Sequence, residues 1–311
     1  MPNVHVVLAL LAVVAGAPSQ SKVSEPRSEP VSIPSKALGA DIRAVVHLPA
    51  GYDANPAERY PVLYFLHGAG RGSERTWASR GTNETVAKLV KAGKLPACIV
   101  VCPRTSRMSF WINWKGKEQE RHGDFVTNEL PARIDEKFRT LKGRKFRGLM
   151  GDSMGGFGAL VNALRNPGAF GAVSAHEPSI YPEDMEALPS WIKRGGRRGS
   201  MLTRMFGDPV DEKYWLAHNV FDIIKKQKPE TFKDLPIYFD VGTRDRYGLD
   251  KPCQAWDQLL AKKKIKHTFN LRNGGHGSGF FVSSVPDSLA FHGKVFKAAM
   301  KARKSAPKKG K

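Results

Sequence analysis

The sequence predicts an α/β fold: a mainly parallel sheet covered by helices on both faces. Three observations carry this. Short apolar runs alternate with segments of helical spacing across residues 60–300, the pattern of βαβ units. Pro61–Leu66 (PVLYFL) and Ala97–Cys102 (ACIVVC) are apolar without alternation, as strands buried on both faces are. Lys145–Pro167 reads as strand, sharp turn and helix. Phe146–Met150 is extended, Gly151-Asp152-Ser153-Met154-Gly155 turns, and Phe157, Leu160, Val161 and Leu164 recur at helical spacing until Asn166-Pro167. A chain of 311 residues, 41% hydrophobic, can bury the core that one such domain needs.

Taken in order, Val4–Gly16 is an apolar run too short to span a bilayer, followed by the small-x-small triplet Ala15-Gly16-Ala17. Residues 1–17 therefore read as a signal peptide and the protein as exported, with an uncleaved anchor as the alternative because no Lys or Arg precedes the run. Residues 18–34 are polar and Pro-rich and read as a linker. Residues 35–300 form the domain. It opens on two short extended runs before Pro49, suited to an antiparallel pair at the sheet edge. The strands Pro61–Leu66 and Ala97–Cys102 flank a helix over Asn83–Ala92. A helix over Asp124–Phe138 follows, with Pro131 at a kink or near its start. Further strands fall at Phe170–Ser174, Pro236–Val241 and His267–Leu271, and helices at Pro252–Lys264 and Leu289–Ala302. Glu177–Leu235 breaks the alternation and reads as an insertion overhanging the carboxyl ends of the strands, where ligands of parallel sheets bind. Residues 301–311 carry six Lys or Arg and no acid, and read as a disordered basic tail.

The formal net charge of +21 comes without any nucleic-acid-binding motif, so nucleic acid is not an expected partner; the oligomeric state is not readable. Cys98, Cys102 and Cys253 have no metal-ligand spacing. Cys98 and Cys102 lie four residues apart on one strand, too far apart to bridge.

Gly151–Gly155 fits G-x-S-x-G, and its setting between strand and helix is the one a nucleophile elbow requires. The alternatives are an ordinary Gly-rich turn and the G-D-S-G-G box of chymotrypsin-like proteases, which Met154 interrupts. A serine hydroxyl attacks only if a base takes its proton and a carboxylate orients that base. In this architecture acid and base follow the serine in that order, each on a loop after a strand. His276, in Asn273-Gly274-Gly275-His276-Gly277-Ser278-Gly279, fits the base; His176, His218 and His292 are weaker candidates. Asp245 fits the acid, because Asp240 is still within its strand and Asp250 suits a helix N-cap. Two N–H donors must meet the oxyanion. Met154 supplies one. The loop His67-Gly68-Ala69-Gly70 supplies the other, from Ala69 or Gly68, with His67 anchoring the loop.

These residues resemble the esterase D-like group of α/β-hydrolases, which includes feruloyl and acetyl esterases, S-formylglutathione hydrolases, enterochelin esterases and mycolyltransferases. The likeness covers most of residues 35–300 and rests on Leu66-His67-Gly68, Gly151–Gly156, Gly242-Thr243-Arg244-Asp245 and Gly275-His276, with Ser109-Phe110, Trp114 and Phe125–Pro131 ahead of the elbow. The resemblance implies an α/β-hydrolase fold, serine ester hydrolysis through an acyl-enzyme, and no metal or organic cofactor. It also implies that Trp111 and Trp114 lie near the acyl pocket; core packing is the competing reading. The ester itself stays open, as do transfer to a sugar in place of water, an S-formylglutathione hydrolase-like thioesterase, and an inactive polysaccharide-binding relative. An ester of a carbohydrate or other polar alcohol is the expectation. The insertion would cap the site, its aromatic residues Trp191, Phe206, Tyr214 and Trp215 stacking on sugar and Arg194, Arg197 and Arg198 pairing with anionic groups. The competing reading of those arginines is a solvated basic loop.

Overall fold

A single sheet organises the chain. Its strands are β1 (Arg27–Ser35), β2 (Ala40–Leu48), β3 (Val62–Leu66), β4 (Ile99–Pro103), β5 (Arg147–Asp152), β6 (Ala172–His176), β7 (Ile237–Gly242) and β8 (His267–Arg272). The computed structural model describes residues 25–194 and 199–305, with the side chain of Trp191 excepted. Residues 1–17, the expected signal peptide, therefore lie outside the described residues. The strand order is β1-β2-β4-β3-β5-β6-β7-β8, antiparallel over β1, β2 and β4 and parallel from β4 to β8. With helices on both faces, this is the α/β-hydrolase fold.

The apolar runs explain the layering. Along β3, Leu63 and Phe65 point to one face, where the C-terminal helix Ser278–Ser305 places Phe281, Val285, Leu289 and Phe296. Val62, Tyr64 and Leu66 point to the other, where the helix Met154–Arg165 packs with Leu160 and Val161. Every residue of β3 is buried, as period-two alternation requires of a strand with both faces covered.

Three expectations are corrected. The linker overlaps β1: Val31 and Ile33 are buried opposite Ala44 and Ile42. Pro30 and Pro34 disguised it, yet a strand at the sheet edge tolerates residues that donate no hydrogen bond. The C-terminal helix begins at Ser278, despite Pro286 within it, and continues to Ser305, so residues 301–305 are helical and not part of a disordered tail. β6 is displaced by two residues, ending on His176. The segment before the elbow is one irregular helix: a turn over His122–Asp124, a π-helical turn over Phe125–Glu129, and Leu130–Lys137. Pro131 stands in the first turn of the last piece, where its missing N–H is tolerated.

The insertion is a set of short helices capped by side chains. Ser200 accepts from Thr203 N, Asp211 from Tyr214 N, and Asn219 from Phe221 N and Asp222 N. Helices this short hold only by burying an apolar face. Phe206 and Trp215 accordingly sit in the core and are not free to stack on a ligand, while Tyr214 donates its hydroxyl to Asn113 O.

β5 and the following helix meet without room for a side chain. A Cβ on Gly151 would run into Gly155 O, and one on Gly155 into Leu66 O. Gly155→Ala is therefore expected to destabilise the fold by about 3 kcal/mol, the upper range for overpacking; a denaturant midpoint equal to the wild type would contradict this.

Candidate active site

Ser153 stands between β5 and its helix with φ 55° and ψ −115°. Such a backbone is strained for any residue but glycine, and it persists because the surroundings hold it. Ser153 N–H donates to His176 O at 2.8 Å, and Ser153 O accepts from Phe157 N at 3.0 Å and Ser179 N at 3.2 Å. The side chain is lifted off the sheet into an open cleft of about 1110 Å³.

His276 and Asp245 meet it there. His276 Nε2 lies 3.0 Å from Ser153 Oγ, and His276 Nδ1 lies 2.7 Å from Asp245 Oδ2. A carboxylate can only accept, so Nδ1 carries the proton and Nε2 presents its lone pair to the serine. Asp245 is held in turn: its Oδ1 accepts from Tyr247 N at 2.8 Å, and the Tyr247 ring stands edge-on to His276 with centroids 4.7 Å apart. The acid and base loops are sewn together by Thr243 N–H to Arg272 O and Arg244 N–H to Gly274 O, both 2.8 Å. Gly242 permits this approach, since a Cβ there would strike Gly274 O.

A second His–Asp pair lies close by in the sheet. His176 Nδ1 meets Asp240 Oδ1 at 2.9 Å and its Nε2 meets Ser288 Oγ at 2.8 Å, with all three residues buried. It ties the C-terminal helix to the sheet and does not reach the cleft. His292, likewise buried, bonds Ser174 Oγ at 2.9 Å and is pushed down to about 3 by burial and by nearby His176. Asp250 lies inside its helix, whose N-cap is Leu249, so it does not cap.

Gly68 and Ala69 line the cleft beside Met154, the first residue of its helix, whose N–H has no intrahelical acceptor. A Cβ on Gly68 would come 3.3 Å from Asp152 O. His67 is buried, its Nδ1 bonded to Gly68 O at 2.8 Å and held below its ordinary value by burial. Trp111 Nε1 donates to His67 O at 3.0 Å. Trp111 is fully buried and supports this loop from below; Trp114 is buried and donates to Ser109 O at 3.1 Å. Neither lines the cleft, whereas Met108 and Phe110 do.

Of the insertion, Ser179 alone lines the cleft among the described residues. Arg194 is exposed at the end of the helix Ser190–Lys193, and Arg197 and Arg198 lie outside the described residues. The guanidinium groups that do line the cleft are Arg71, Arg80 and Arg246. Arg80 pairs with Asp152 at 2.6 Å and lies over the Phe281 ring at 4.7 Å. Glu177, unmarked by any sequence motif, is buried beside the base loop and accepts from Gly277 N–H. Glu177, Asp245 and His276 bring their polar atoms within 4.8 Å of one another. These atoms already bond one another or the backbone, so they are not arranged to receive a metal ion. The cysteines are free and buried, and burial raises the Cys98 thiol to about 12, which leaves it unreactive.

The family model described as "Putative esterase" matches residues 35–297. The chain belongs to this esterase family. It is a carboxylic ester hydrolase. The esterase is similar to the S-formylglutathione hydrolase of Bos taurus, 26% identical over 286 residues that cover 84% of this chain and 91% of that relative. Among solved structures, a ferulic acid esterase matches with a TM-score of 0.72 at 23% identity, covering 88% of this chain and 100% of that one. An S-formylglutathione hydrolase from Agrobacterium tumefaciens matches with a TM-score of 0.70 at 21% identity, covering 90% and 99%. The esterase thus shares its fold over most of its length with enzymes of both kinds.

Proposed function

We propose that the esterase works through Ser153, His276 and Asp245 by way of an acyl-enzyme. The observation that carries this reading is the continuous hydrogen-bond chain from Ser153 Oγ through both ring nitrogens of His276 to Asp245, opening on the cleft. His276 Nε2 takes the serine proton as Oγ attacks the ester carbonyl. The oxyanion meets Met154 N–H and an N–H of the Gly68-Ala69 loop, with the positive end of the elbow helix behind it. The imidazolium, stabilised by Asp245, returns the proton to the leaving oxygen or sulfur. Water, deprotonated by the same nitrogen, then releases the acid and restores Ser153.

The proposed substrate is an ester of a polar alcohol, with an anionic group favoured. Asp152 is the only carboxylate lining the cleft among the described residues, and Arg80 neutralises it. Arg71 and Arg246 are exposed at the same cleft, without a carboxylate partner there. The anion contact is therefore assigned to them in preference to the insertion. Export of the esterase, with a mature chain starting at residues 18–24, is part of this reading.

Ser153→Ala is expected to lower kcat by on the order of 10⁴ or more with the fold intact. Asp245→Asn should cost far more turnover than Asp240→Asn, whose effect should fall on stability. Wild-type turnover in folded Ser153→Ala, or a dead Asp240→Asn beside an active Asp245→Asn, would refute the assignment.

Arg71→Ala and Arg246→Ala should each raise KM for an acidic sugar ester about tenfold and leave a neutral aryl ester within about twofold. Arg194→Ala should change neither. An equal effect on both substrates would return Arg71 and Arg246 to the solvent.

Mass spectrometry of the protein recovered from the medium should find its first residue between Pro18 and Ser24; a soluble protein retaining Met1 inside the cell would reject export.

A further inference from the structure

Three carboxyl groups converge behind the cleft: Asp152 on β5, Glu177 just past β6, and Asp245 on the loop after β7. One guanidinium, that of Arg80, pairs with this group, and it binds Asp152 Oδ2. Glu177 is fully buried at φ 46°, and its N–H donates to Asp240 O at 2.8 Å, so its backbone is fixed where a side chain is strained. Its carboxyl oxygens lie 2.8 and 3.0 Å from Gly277 N, the residue after His276. On its other side the carboxyl faces Asp152, the residue before Ser153, near enough to feel its charge. Asp152 Oδ1 is buried and meets no donor among the described residues.

We propose that Glu177 is a positioning residue: its carboxyl, bridging Asp152 and the Gly277 N–H, clamps the base loop to the nucleophile elbow and so sets the distance between Ser153 and His276. This rests on the triad proposed above.

The bridge needs a proton. Two carboxylates cannot bond each other, and a hydroxyl on Glu177 can donate to Asp152 while its carbonyl oxygen accepts from Gly277 N–H. The groups facing Glu177 are Asp152 with its Arg80, and Asp245 with His276. Burial first, and then the charge of Asp152, push the Glu177 carboxyl up to about 10. The sign follows. A carboxyl raised above its unfolded value stabilises fully below the unfolded value, and that contribution is lost as pH rises through the folded one. At neutral pH the clamp is closed. As pH approaches 10 the proton leaves, Asp152 and Glu177 repel, and the base loop is released.

The test measures kcat against pH on a neutral aryl ester, with Ser153→Ala as the background and His276→Ala beside it. Glu177→Gln mimics the protonated bridge, since its amide donates to Asp152 and its oxygen accepts from Gly277. It should keep kcat within about threefold of wild type near neutral pH and lack the loss of kcat expected of the wild type toward pH 10. Glu177→Ala should lower kcat by about tenfold or more with KM within about threefold, as displacement of a base by a fraction of an ångström does. If Glu177→Ala does not fold, the Glu177→Gln profile decides alone. An alkaline loss in Glu177→Gln equal to that of the wild type, with His276→Ala inactive, overturns the clamp and leaves the triad standing. An active His276→Ala overturns the triad, and the clamp with it.

Discussion

The contact on which the rest depends is the one between the end of β5 and the start of the helix after it. Gly151, Gly155 and the backbone of Leu66 meet there with no space for a single methyl group. That closeness forces the chain to reverse within one residue, and the residue is Ser153, at a positive φ that only its surroundings can maintain. It also brings Met154 and the loop after β3 to the same cleft. The strain is carried by a buried sheet, β3 to β7, whose strands have their faces covered by helices and so have little freedom to relax. Rigidity at Ser153 is thus a property of the core.

Much of this was legible without coordinates. Each of Ser153, Asp245 and His276 follows a strand, in the order the architecture demands, and apolar runs mark those strands plainly. The loop after β3 was legible because its glycines directly follow such a run. What stayed hidden has physical causes. Pro30 and Pro34 disguise β1, because their cost depends on whether a neighbour needs their hydrogen bond, and at an edge none does. Trp111 and Trp114 read equally as pocket or core; the structure buries both and gives Trp111 the task of holding His67 O. Glu177 has no local signature at all. A glutamate past a strand looks solvated until three loops from distant parts of the chain close around it.

Charge follows the same logic. The chain is strongly basic, yet the residues behind its site are acidic and those on the rim are arginines. Net charge places neither set. The insertion, rich in Lys and Arg, looked like the anion-binding part in sequence, but its short helices spend Phe206 and Trp215 on attachment to the core. The cleft takes its guanidinium groups from the loop after β3, from the segment leading to the helix Thr82–Lys91, and from the residue beside Asp245.

The stitching of the acid loop to the base loop has a mechanical consequence. Both loops hang from β7 and β8, and β8 is an edge strand with none of its residues fully buried. Ser153 hangs from β5 at the centre. Edge strands exchange their amide hydrogens through local opening events that cost less than global unfolding. An opening at β8 breaks the Arg272 and Gly274 carbonyl bonds together, and parts His276 from Asp245 while the elbow stays folded. On the proposed triad, activity would be lost with heat from the periphery of the sheet, and the fold from its middle.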